Sequence, residues 1–288
     1  MKAKIISFMN MKGGVGKTTL CVNLAYSLSK INKKVLMIDI DPQSNMSQYV
    51  LTPAIFEELI NKDKTLYSLY KDIFEEVSFN TVNGNDDDED STITLDDVVY
   101  KVCDNLDLIP GNIKLVKISQ GTDPAAINVL QNFLITNSVC SKYDFIFLDC
   151  PPTQSIYTSS ALNVSTHYVL PVKPDFLSSI GIALMKNVIK NHNKTHSQKK
   201  VECAGIIFNM VHNKNKYDID KMREIRENNI SHVYDNFVLN KPIIARAPET
   251  EDYMINLNGC KSSITKIRKE FLKRIGESSN EQYTKNNI

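Results

Sequence analysis

The stretch Lys12-Gly13-Gly14-Val15-Gly16-Lys17-Thr18-Thr19 constrains this chain more than any other. Before it stands the apolar run Ile5-Ile6-Ser7-Phe8-Met9, which reads as a buried strand. After it, from Thr19 to Leu28, apolar residues recur at helical spacing. Strand, glycine turn and helix are the setting in which backbone N–H groups around Gly13, Gly14 and Gly16 can close on phosphate oxygens, helped by the positive end of the helix. A phosphate loop of the form G-x-x-x-x-G-K-[ST] keeps its second half here as Gly16, Lys17 and Thr18, with Met11 where the first glycine would stand. In that frame Lys17 reaches the β- and γ-phosphates and the Thr18 hydroxyl ligates Mg²⁺. Lys12 is a second lysine that ordinary loops of this kind lack.

Two further segments fit the loop. Lys34–Gln43 reads as an apolar strand ending in Asp39 and Asp41, which at i and i+2 point to the same face of a strand. At the carboxyl end of a parallel strand, Asp41 can orient a water and Asp39 can support a metal shell. Lys142–Pro152 is another apolar strand, ending in Asp149, the pattern of a carboxylate on a Mg²⁺-bound water. A lone strand-end aspartate more often caps a helix or forms a turn. Three such aspartates, Asp39, Asp41 and Asp149, beside one phosphate loop point to nucleotide chemistry instead.

Taken together, Lys12–Thr19, Asp39-Ile40-Asp41-Pro42-Gln43 and Leu148-Asp149-Cys150-Pro151-Pro152 resemble the ParA/Soj family of DNA-partition ATPases, within the deviant-Walker-A group that also holds MinD and the nitrogenase iron protein. The resemblance continues through Leu106–Asn112, Tyr168–Asp175 and Gly205–Asn209, and spans about residues 3 to 275. It implies ATP and Mg²⁺ as cofactors, with Lys12, Gly13, Gly14, Val15, Gly16, Lys17, Thr18 and Thr19 on the nucleotide and Asn209 at the adenine. It also implies Thr18, Asp39 and Asp149 around the metal, and Lys12, Lys17 and Asp41 as the catalytic set. Lys12 would cross to the phosphates of a second copy, so hydrolysis requires an ATP-bound homodimer. A cation placed there offsets charge that develops in phosphoryl transfer. The family further implies weak intrinsic ATPase activity, non-specific DNA binding, and a ParB-like centromere-binding partner that stimulates hydrolysis.

Charge totals do not reveal a DNA-binding role, since the formal net charge is +1; its distribution is more informative. Acids cluster at Asp86–Asp90, read as an exposed surface loop over about 83–97. Bases cluster at Lys261, Lys266, Arg268, Lys269, Lys273 and Arg274, while Ile264, Ile267, Phe271 and Ile275 mark an apolar face of the same helix. The expected DNA face is Lys266, Lys269, Lys273 and Arg274, joined by Lys241 and Arg246. The latter two stand where the family carries a Pro-Arg pair and a further arginine before Ala247-Pro248.

Other classes fit less well. No run is long and apolar enough for a transmembrane span, and no signal peptide precedes the first strand, so a cytoplasmic, nucleoid-associated bacterial protein without membrane contact is expected. A MinD-like positioning ATPase, the alternative reading, would end in a basic amphipathic membrane helix. Here a dozen polar residues follow Ile275. The six cysteines show no C-x-x-C pairing and suit free buried thiols rather than zinc or an iron–sulfur cluster. The tail holds one tyrosine, Tyr283, against the tyrosine cluster of a bacterial kinase.

Hydrophobic residues make up 42% of the chain, enough for a buried sheet, and apolar strands alternate with helical patterns. The expected fold is α/β: a mostly parallel, doubly wound sheet flanked by helices, as one ATPase domain over 1–276 with a polar tail at 277–288. Helices are expected around 52–74, from Pro124 and over about 261–275, and strands around 106–109, within 142–152 and ending at Asp149, and around 168–171 and 201–208.

Overall fold

The computed structural model describes residues 3–75, 93–119, 124–196, 199–229 and 232–277. The acidic run Asp86–Asp90 and the tail from 278 lie outside the described residues. Among the described residues, seven strands form one sheet: β1 (Lys4–Phe8), β2 (Val35–Asp39), β3 (Tyr100–Cys103), β4 (Leu106–Ile109), β5 (Phe145–Asp149), β6 (His167–Val172) and β7 (Glu202–Phe208). Their order is β3-β4-β2-β5-β1-β6-β7, parallel except for β3 against β4.

β1, β2 and β5 are continuous apolar runs because both of their faces are covered, which is what a parallel sheet demands. β5 shows this: Phe145 and Phe147 face one layer, Ile146 and Leu148 the other. The first layer holds the Lys17–Ser29 and Lys261–Arg274 helices, through Leu20, Leu24 and Leu28 and through Ile264, Ile267 and Phe271. The second holds Val129–Thr136, Ile156–Val164 and Ser178–Thr195.

The helix that follows β1 therefore packs on one face, and the helix that follows β5 on the other, although β1 and β5 are neighbours. That reversal opens a crevice at the carboxyl ends of these two strands, the usual ligand position in open α/β sheets.

Three details differ from the sequence reading. β2 stops at Asp39, and Asp41 lies beyond it in a turn whose Gln43 N–H donates to Asp41 Oδ1 at 3.0 Å. The helical region expected around 52–74 is two helices, Pro53–Asn61 and Ser68–Glu75, and the helix from Pro124 begins as a 3₁₀ turn before Val129–Thr136. β3 was not foreseen. It is a short, half-exposed edge strand joined to β4 by the two-residue loop Asp104-Asn105, with Asn105 at φ 63°. Asn105 is one of the few residue types besides glycine that enters the left-handed region readily, and it is the local mark of this turn.

Candidate functional site

The loop between β1 and the Lys17–Ser29 helix crosses the crevice with Gly13 and Gly14 exposed and Val15 and Lys17 buried. Gly14 (φ 71°) and Gly16 (φ 78°) occupy the left-handed region, which a residue with a Cβ enters only at a cost. Gly16 is doubly constrained, since a Cβ there would meet Asn209 Nδ2 at 2.2 Å. Asn209, buried at the end of β7, donates from Nδ2 to Val15 O (3.0 Å) and Gly16 O (3.2 Å), and its Oδ1 accepts from Met210 N–H at 3.0 Å. The structure thus sets Asn209 against the loop backbone, with Met210 in the left-handed region at φ 56°.

The strand-end carboxylates gather beside the loop. Asp39 and Asp149 are register partners on adjacent strands. Thr18 Oγ1 donates to Asp149 Oδ2 at 2.6 Å. Asp39 Oδ2 accepts from both Ser47 N–H (2.8 Å) and Ser47 Oγ (2.6 Å), and Ser47 Oγ in turn accepts from Gly111 N–H. The other oxygen of each carboxylate, Asp39 Oδ1 and Asp149 Oδ1, is buried with no hydrogen-bond partner among the described residues. Burial pushes the Asp149 carboxyl up to about 7, against the pull of the Thr18 hydroxyl and Lys17. Burial and the adjacent Asp149 raise Asp39 well above the usual carboxylate range. Lys17 is 7% exposed; burial lowers its pKa, and Asp149 and Asp41 oppose that. A buried ammonium among carboxylates with open oxygens is a site arranged for charge that arrives from outside the chain.

Lys12 lies on the same rim. Its N–H donates to Asn10 Oδ1 at 2.9 Å, and its ammonium pairs with Asp175, on the exit from β6. Burial works to raise the Asp175 carboxyl, but the Lys12 and Ser178 hydrogen bonds outweigh it and hold it below its ordinary value. Asp175, Asn10 and Ser47 were not assigned roles from the sequence. Only Asp175 lay in a segment already singled out, and nothing local marked it as the lysine's partner.

The last-helix cations divide. Lys266, Lys269 and Lys273 are exposed at i, i+3 and i+7 and border one surface groove with Asp235, Glu270 and Glu277. Arg274 does not join them as expected: its guanidinium pairs with Glu270 (2.9 Å), donates to Val233 O (2.7 Å) and stacks over Tyr234. Arg268 is buried, donating to Ser27 O at 2.9 Å. Arg246 is exposed, while Lys241 donates to Gly259 O at 2.7 Å. A helical stripe cannot be basic all round when one face must pack, and the arginines near that boundary turn inward.

The AAA domain family matches residues 3–203 of the chain. The sporulation initiation inhibitor protein Soj of Bacillus subtilis (strain 168) is 28% identical over 245 residues, covering 85% of this chain and 87% of Soj. Among solved structures, a Borrelia burgdorferi B31 protein described as a plasmid partition protein, bound to AMPPNP, superposes with a TM-score of 0.71 at 25% identity, over 95% of this chain and all of that one. A Cyanothece McdA–ATP complex reaches 0.74 at 18% identity over 96% and 98% of the two chains, a likeness of fold. The fold and its crevice are those of a P-loop ATPase. The chain belongs to the AAA domain family, and within it is a ParA/Soj-family ATPase.

Proposed function

We propose that this chain is an ATP-dependent DNA-segregation ATPase: an ATP-bound homodimer sits on non-specific DNA, and a ParB-like centromere-binding partner stimulates hydrolysis and release. The observation that carries the reading is the meeting of Lys12, Lys17, Thr18 and Asp149 around a left-handed glycine loop, beside two buried carboxylate oxygens with no partner.

The donor set suits Mg²⁺, a hard cation that takes oxygen ligands and keeps part of its shell for phosphate and water. Thr18 and Asp149 would hold it, with Asp39 behind them; when bound, Mg²⁺ neutralises phosphate charge. Gly13, Gly14, Val15 and Gly16 offer backbone N–H groups to phosphate oxygens, with Thr19 in the first helical turn. Lys17, already desolvated, would balance the terminal phosphates without reorganising. Asp41, fixed by Gln43 N–H, would position the attacking water. Asn209 would act by clamping the loop beneath the nucleotide, and Lys12 by reaching the phosphates of a second copy.

DNA contact would fall to the exposed Lys266, Lys269 and Lys273, with Arg246 and Lys241 beyond them. Such contacts read phosphate backbone rather than sequence. The apolar face of the same helix is used up in the core, with Ile264, Ile267 and Phe271 all at 0% exposure, which disfavours a membrane-lying role for this helix. Among the described residues, no helix is long and apolar enough to cross a membrane.

The test is binding to a random-sequence duplex with ATP, with ADP and without nucleotide, at low and high salt. Salt-sensitive binding confined to the ATP state is expected. Equal binding in all three states, or none in any, refutes the proposal.

A further inference from the structure

Lys12 is held in two ways, through β6 and through the segment that leaves it. Its backbone is tied through Asn10, whose Oδ1 accepts from Lys12 N–H and whose Nδ2 donates to Pro171 O at 2.8 Å. Its side chain is tied through Asp175, the ion pair lying partly buried at 29% and 26% side-chain exposure. Asp175 is fixed in turn. While Oδ2 takes the ammonium, Oδ1 accepts from Ser178 Oγ (2.9 Å) and Leu177 N–H (3.2 Å), anchoring the start of the Ser178–Thr195 helix. Close packing keeps that helix in place: a Cβ on Gly181 would stand 3.3 Å from Asn10 Oδ1.

An ammonium bound to a carboxylate of its own chain is not available to phosphates elsewhere. Beside the pair, Phe176, Leu177, Ile180 and Leu184 form an apolar strip exposed by 72%, 51%, 53% and 50%. Exposed apolar side chains in that concentration mark a surface that becomes covered. The strip adjoins the carboxylate that stores the lysine, so a second copy covering the strip would meet the ammonium at the point where it is held.

We propose that Asp175 is a latch that stores Lys12 in cis in the unpaired chain, so that pairing of two chains on nucleotide must first break the Lys12–Asp175 contact. This rests on the two-chain reading of the site above. Asp175 is a positioning residue here, acting only through Lys12. Because each chain carries one latch, the cost of release enters twice in a symmetric pair, and removing the carboxylate favours pairing.

Asp175→Asn is the probe, since an amide oxygen retains the bonds to Ser178 and Leu177 while the charge is lost; Asp175→Glu is the conservative control. Two readouts separate the latch from the pairing. First, the nucleotide-free chain is treated briefly with an amine-acylating ester and modification at Lys12 is quantified by mass spectrometry. Asp175→Asn should raise the rate about threefold, the range for freeing a partly exposed ion pair, and Asp175→Glu should not. Second, sedimentation with ATP should show the midpoint of self-association falling about tenfold in protein concentration for Asp175→Asn, two latches being released per pair.

Unchanged labelling overturns the latch itself. Raised labelling with unchanged or weaker self-association overturns its regulatory role and makes Asp175 a partner of Lys12 in the paired state as well. If labelling rises but neither the native chain nor the variant associates with ATP, the two-chain reading of the site falls, and the regulatory role falls with it.

Discussion

Replacing Gly16 with alanine tests how the loop is held. The residue sits at φ 78°, ψ 38°, where an L side chain costs roughly 1–2 kcal/mol. Its new Cβ would stand 2.2 Å from Asn209 Nδ2 and 3.3 Å from Met210 Cε, so the Asn209 amide must move. Moving it gives up the bonds to Val15 O and Gly16 O, at about 1 kcal/mol each. Gly16→Ala should therefore cost about 3–4 kcal/mol, on the order of 10 °C in melting temperature for a chain of this size. Removing the amide first, with Asn209→Gly, should reduce the cost of Gly16→Ala to the backbone strain alone, a coupling of about 2 kcal/mol in a thermal-melt double-mutant cycle. Gly13→Ala, with nothing within 4 Å of the added carbon, is the control and should cost far less. Costs for Gly16→Ala and Asn209→Gly that simply add would refute the clamp.

Asp149→Asn should raise the melting temperature of the nucleotide-free chain at pH 7.5 while abolishing Mg²⁺-dependent ATP retention. The folded carboxyl, near 7, lies above its unfolded value. The folded state therefore holds an extra proton between about pH 4 and 7, and native stability should fall as pH rises there by up to about 1.4 kcal/mol per unit. The variant should lose the part of the slope that Asp149 contributes and keep the part from Asp39, which burial also raises; an undiminished slope would contradict the burial argument. In nucleotide-binding calorimetry Lys17→Ala should lose ATP, whereas Lys12→Ala should keep monomeric binding but fail to hydrolyse. Asp41→Ala should keep ATP bound and trap the chain on DNA; hydrolysis at the native rate would remove Asp41 from its assigned role. Converting Lys266, Lys269 and Lys273 to glutamine should weaken DNA binding evenly across sequences and lower the logarithmic salt slope by about 3 for each chain in contact, about 5 for a pair, with ATP turnover in the absence of DNA unaffected. An unchanged slope would place the DNA face elsewhere.

What was legible in the sequence is what local pattern encodes. Continuous apolar runs gave β1, β2 and β5 because each is buried on both faces, and glycine spacing gave the loop because the left-handed positions at Gly14 and Gly16 accept little else. Strand-end aspartates gave Asp39 and Asp149, which pairing of β2 with β5 brings side by side. What escaped depends on contacts far apart in sequence. Asp175 meets Lys12 across 163 residues, and Asn209 meets Val15 across 194. The inward turn of Arg274 was hidden for the same reason, since Val233 and Tyr234 lie outside its helix. β3 had a local signal, but a four-residue half-exposed strand has too little apolar pattern to stand out.

The buried charges of the site are costly in their own right. Lys17, Asp39 and Asp149 are desolvated, two carboxylate oxygens lack partners, and the loop beside them holds left-handed backbone. None of this stabilises the nucleotide-free fold, which must be sustained by the packed layers, such as Phe271 against Phe145 and Phe147. Ligands that satisfy these groups bind the folded state alone and stabilise it by mass action. Nucleotide and metal should then raise stability by more than phosphate contacts at an already satisfied site would.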